Sequence, residues 1–167
     1  AWPAQRQGIT RVVSQTVRRE PAGSRLVQEC EAPGTAGVRL EAYLPDDQPW
    51  VDLTVTVVKE WQIQPEACYL AFPFRIAAAQ PSYETATAVV RHDADQLPEA
   101  NRDFVTVQNW VDLANAEHGA TVVTLDAPLA MFGGFNFGRQ QRQAGGKSGL
   151  FVSWLMNNYW DTNYASA

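Results

Sequence analysis

The sequence predicts an all-β fold, a large antiparallel β-sandwich with few short helical turns. Apolar residues recur with period two or in short runs, and Gly, Pro, Asp and Asn bound those runs. No stretch reads as a long amphipathic helix, and many short strands spaced by turns are what two packed antiparallel sheets produce. The 167 residues fit one ordinary domain, expected over 1–167 or as an excerpt of one, and 46% hydrophobic content suffices for a core.

Ile9 to Arg19 opens the chain with a β-rich segment of Val, Thr and Ser that ends near Pro21. Arg25 to Ala32 and Val38 to Leu44 follow, and the turn-prone Pro33-Gly34-Thr35-Ala36-Gly37 between them predicts a hairpin. In Trp50 to Trp61, Val51, Leu53, Val55 and Val57 share one face opposite Asp52, Thr54 and Thr56, the cleanest half-buried strand in the chain. Cys68 to Arg75 alternates less regularly, and Pro73 assigns it to a sheet edge or a strand end. Ala86 to Arg91, Phe104 to Asp112, Ala120 to Leu125 and Leu150 to Met156 complete the set, each flanked by breakers. Ala77 to Gln80 and Ala114 to His118 are expected as single helical turns, too short to support themselves.

A formal charge of -5, with Lys and Arg scattered, gives no footprint for nucleic acid. No apolar run approaches the roughly 20 residues that cross a bilayer, so no membrane partner is expected. The start, Ala1-Trp2-Pro3-Ala4-Gln5-Arg6, lacks the order of a signal peptide. Cys30 and Cys68 are too few for a disulfide scaffold and lack the paired spacing of a zinc site, so they are expected as separate thiols. His92 and His118 stand alone and are expected as surface or structural histidines.

Gly133 to Gly149 forms a glycine-rich stretch, expected as a flexible surface loop, that imitates a phosphate site through Gly146-Lys147-Ser148. The imitation fails because Gln141 stands where the motif's first glycine belongs, and because strand-like Leu150-Phe151-Val152 follows instead of a helix. Asp93 and Asp95 are expected as loop-solvating charges. Arg102, after the turn at Pro98, is expected in a surface salt bridge, and Trp110 in the core with Asn109 presented on the opposite face.

The chain's end is chemically distinctive. Leu155-Met156-Asn157-Asn158-Tyr159-Trp160-Asp161-Thr162-Asn163-Tyr164 concentrates amides and aromatics, which is sugar-contacting chemistry: flat amides pair with hydroxyls and rings stack on pyranose C–H faces. Asn157, Asn158 and Asn163 are the candidates for holding hydroxyls, and Trp160 and Tyr164 for stacking. The competing use is an interdomain seam with the asparagines capping turns. Ending there, the chain is expected to be an excerpt of a longer protein.

Five segments occur in one order: Lys59-Glu60 with Pro65-Glu66-Ala67-Cys68-Tyr69-Leu70-Ala71-Phe72-Pro73-Phe74, then Asp95-Gln96-Leu97-Pro98, Val107-Gln108-Asn109-Trp110-Val111-Asp112-Leu113, and Thr124-Leu125-Asp126-Ala127-Pro128-Leu129. In that order they resemble the C-terminal β-sandwich region of glycoside hydrolase family 38, the α-mannosidase-like family, over roughly residues 50 to 164. The resemblance implies a fold of the supersandwich, galactose-mutarotase-like kind. It also implies a parent enzyme that hydrolyses α-mannosides with retention, using two carboxylates and a zinc ion held by His and Asp in a preceding α/β catalytic domain. None of those motifs stands in this chain, so no catalytic residue, metal ligand or cofactor is assigned to it. Asp93 with Asp95, or Asp103 with Asp112, carries nothing that marks a catalytic pair.

The expected role is a noncatalytic sandwich that packs on the catalytic domain of the same polypeptide and helps shape its glycan site. The alternative is a stand-alone carbohydrate-binding or adhesion-type module. The expected setting is soluble, in a bacterial cytoplasm or periplasm.

Overall fold

The computed structural model describes residues 5–136 and 149–158. Its described elements are twelve strands in three antiparallel four-stranded sheets, with no helix among them. They divide into two compact units, one up to Ile63 and the other from Gln64 onward.

The first unit is a meander of β1 (Arg11–Glu20), β2 (Gly23–Glu31), β3 (Thr35–Pro45) and β4 (Asp52–Lys59), paired in that order. The expected hairpin is β2–β3, closed at Ala32 by N–H and hydroxyl donation from Thr35. Registers Val12↔Cys30↔Val38↔Val57 and Val17↔Leu26↔Ala42↔Leu53 put the aliphatic residues on one face. The other face carries an ion-pair lattice: Arg25 with Glu20 and Glu41, and Arg39 with Glu29 and Glu41. The Arg25 guanidinium lies 4.8 Å from the centroid of Tyr43. Strict alternation in β4 sends Val55 and Val57 to the aliphatic side, because successive side chains point to opposite faces.

The second unit holds two sheets. One runs β10 (Gly119–Val123), β9 (Trp110–Ala114), β6 (Gln80–Glu84), β7 (Val89–Arg91). The other runs β5 (Ala67–Pro73), β12 (Leu150–Asn157), β11 (Leu129–Phe132), β8 (Val105–Thr106). Tyr83, Val111 and Leu113 from the first meet Ala130, Phe132 and Phe151 from the second in one buried cluster, so the unit is a β-sandwich. As Pro73 requires, β5 is an edge strand that ends at that proline. Gly149 enters β12 beside β5, where an added Cβ would stand 2.2 Å from the Phe74 carbonyl oxygen, so only glycine fits.

Several expectations are corrected. The segment from Phe104 to Asp112 is no single strand: β8 and β9 lie in different sheets, separated by the turn that places Gln108 N–H on the Glu84 carbonyl. Neither short helical turn forms. Residues 77–79 form a turn into β6, with Ala78 in the left-handed region at φ 49°. Ala114 to His118 closes the β9–β10 hairpin, where the Asn115 carboxamide accepts N–H bonds from Glu117 and His118 at 2.8 Å each. Gln80–Glu84 and Leu129–Phe132, β6 and β11, are strands with no counterpart among the expected ones. Most of the glycine-rich stretch, 137–148, lies outside the described residues.

Candidate functional site

Asn157 closes β12 opposite Ala67. Asn158 follows, and its carboxamide is occupied: Oδ1 accepts the Glu66 N–H at 2.5 Å and Nδ2 donates to the Gln64 carbonyl at 3.0 Å, while its own N–H reaches the Glu66 carbonyl. The side chain thus pins the lead-in to β5 against the end of β12. Trp160, Asn163 and Tyr164 lie outside the described residues.

The Asp93–Arg102 region differs from expectation. Arg102 is 5% exposed, and its Nε lies 2.7 Å from Asp93 Oδ1, with the N–H turned off the line to the oxygen. Nη1 and Nη2 donate to the Ala100 and Leu97 carbonyls. Arg102 is therefore a buried clamp on its own loop, holding two carbonyls by hydrogen bonds and Asp93 by charge. Asp93 holds that clamp from a left-handed backbone at φ 71°, and Asp95 pairs with Arg91 at 2.7 Å. The Arg91 guanidinium and N–H hold the Asp95 carboxyl down at about 2. Both are exposed loop carboxylates, as expected, and each also holds a guanidinium, Asp93 that of Arg102 and Asp95 that of Arg91.

His92 is buried between Phe132, at 4.9 Å between ring centroids, and Tyr83, at 6.3 Å. Among the described residues neither ring nitrogen has a hydrogen-bond partner. Burial pushes its pKa down, Asp93 opposes this, and Arg102 adds to it. His92 is structural, as one of the two expected readings held. Cys30 and Cys68 are not joined in a disulfide.

Trp110 is the clearest correction. Its neighbours Val111 and Leu113 are fully buried, and since β9 alternates, Trp110 and Asp112 both stand on the outer face of the sheet. Register brings Ser82, Asp112 and Thr121 into one row across three strands, and Trp110 beside Val123 in the next. Together these five line a shallow depression of about 360 Å³. Asp112 Oδ1 accepts the Thr121 hydroxyl at 2.8 Å, and Glu84 on the same face accepts from Asn109 Nδ2 at 2.8 Å. The parity that links Trp110 to Asp112 was legible; burying Trp110 would have buried an aspartate as well. The β6 contribution, Ser82, was not legible because β6 was missed.

Among the described residues no three His, Cys, Asp or Glu side chains gather as a metal site, and no helix is long and apolar enough to cross a membrane. No curated protein and no solved structure matches the chain. A family model, glycosyl hydrolases family 38 C-terminal domain, matches residues 4–127. That description implies a companion catalytic domain in the same polypeptide. With its all-β architecture and a match over most of its length, the chain belongs to the family 38 glycosyl hydrolase C-terminal domain family.

Proposed function

We infer that the chain is the noncatalytic β portion of an α-mannosidase-like glycoside hydrolase, packing on a catalytic domain whose zinc and carboxylates perform the chemistry. The aliphatic face of the β1–β4 sheet is the observation that carries this reading. Val12, Val17, Leu44 and Leu53 are exposed on it, although a single-layer sheet gains its stability only by burying such a face against another layer. The opposite face is closed by its own ion pairs, so the aliphatic side is the one suited to a neighbouring domain. The carboxylates of the second unit support a supporting role as well: Asp93, Asp95, Asp112 and Glu84 each hold a neighbouring side chain in place.

The terminal Asn157, Asn158, Trp160, Asn163 and Tyr164 approach the glycan in this reading, with Asn158 acting through the backbone it pins. The test is made in the full polypeptide. Hydrolysis of an aryl α-mannoside is expected to vanish with a chelator and return with zinc, and to fall when Val17→Asp and Leu53→Asp are introduced together. The present chain alone is expected to give no turnover with or without zinc. Turnover by the chain alone, or full activity in the double variant, would overturn the reading.

A further inference from the structure

We propose that the outer face of the β10–β9–β6–β7 sheet is a binding surface for neutral polysaccharide, centred on Trp110. This goes beyond the role proposed above, because it uses none of the terminal amide residues and needs no catalytic domain.

A solvent-facing sheet normally presents small or charged side chains, each satisfied by water or by a neighbour. Here the most hydrophobic part of the outer face is a platform: the Trp110 indole beside Val123, which is 61% exposed, with Val89 at 57% on the far strand. Around it stand polar groups with capacity to spare. Among the described residues the Ser82 hydroxyl and the Trp110 indole N–H find no hydrogen-bond partner, and Asp112 uses only Oδ1, leaving Oδ2 as a further acceptor. Trp110 and Asp112 are two residues apart on one strand, roughly 6.7 Å at the usual rise. A pyranose lying on the indole therefore brings its rim hydroxyls toward Asp112 and Ser82. Flat C–H faces stack on the ring, and the carboxylate and hydroxyls set the orientation.

The depression is shallow and lies along a sheet, a shape that takes a chain from the side rather than enclosing its end. Its charge selects among glycans. Glu84 and Asp112 are on this face, Arg91 at its edge is already paired with Asp95, and the chain carries -5 in all. Anionic polysaccharide is thus repelled and neutral polysaccharide is not.

Native gel electrophoresis of the whole 167-residue chain through gels containing mannan, hydroxyethylcellulose or polygalacturonate tests this. Retardation is expected in at least one of the two neutral polymers and absent in polygalacturonate. Trp110→Ala should weaken the retardation at least ten-fold, Trp110→Tyr should keep most of it, and Asp112→Asn should weaken it several-fold. Trp110 is on the outer face, so unchanged melting of Trp110→Ala is expected. If that variant melts early, Asp112→Asn, which conserves the shape of the side chain, carries the test. No retardation in either neutral polymer overturns the proposal. So does wild-type retardation of Trp110→Ala, or retardation in polygalacturonate equal to that in the neutral gels.

Discussion

His92 makes the second unit acid-sensitive. Its imidazole is 1% exposed and, among the described residues, neither nitrogen has a hydrogen-bond partner, so a charge there is poorly stabilised. Burial lowers its pKa below the ordinary 6.5. The groups that face it are Tyr83 from β6, Phe132 from β11, and Asp93 and Arg102 from its own loop; only Asp93 favours the cation. Below the unfolded pKa the unfolded chain binds a proton that the folded chain refuses, so stability is full above about 6.5 and falls as the pH drops toward the folded pKa. At about one pH unit below 6.5 the unfolded imidazole is almost fully protonated. A folded imidazole that remains neutral then forfeits about 1.4 kcal/mol, an upper value for a single group.

The assay is hydrogen exchange of the most protected amides of β6 and β9, taken at about pH 7.5 and about pH 5.5, in the wild type and in His92→Leu. The variant shifts both values by whatever its packing does, but it removes the titration, so the difference between the two pH values is the readout. The wild type should lose more stability than the variant as the pH falls, by no more than about 1.4 kcal/mol. Carboxylates such as Asp95 titrate well below this window and cancel between the two proteins. Equal pH dependence in wild type and variant would refute the argument that His92 is held neutral.

Three further outcomes follow from packing and hydrogen bonding. Gly149→Ala places a Cβ 2.2 Å from the Phe74 oxygen and 3.0 Å from the Ile76 nitrogen, both backbone atoms, and should cost about 2 kcal/mol or more in urea denaturation. Arg102→Ala removes the buried donor of the Leu97 and Ala100 carbonyls and the charge beside Asp93, so the melting temperature should fall by the equivalent of about 1–2 kcal/mol. Asn158→Ala removes two hydrogen bonds to the strand lead-in; exchange of the Glu66 amide should speed up by the equivalent of about 1–2 kcal/mol, while the core amides of β9 stay protected.

The amino-acid sequence by itself determined the all-β class, the β2–β3 hairpin, the alternating face of β4 and the edge position of β5. Each rests on a local cause: side-chain parity, turn chemistry, or a proline that cannot donate. The family was legible too, through ordered segments between Lys59 and Leu129. Only the tertiary structure decided what depends on which strands meet. Trp110 went outward because Val111 and Leu113 together offer a larger apolar face than Trp110 beside an aspartate. Arg102 and His92 became buried because the loop between β7 and β8 folds back, with His92 meeting Phe132 of β11, a contact between residues 40 positions apart that no local window contains. Ser82, Asp112 and Thr121 became one row through strand register across β6, β9 and β10, which is fixed by pairing and core burial rather than by any one strand's composition.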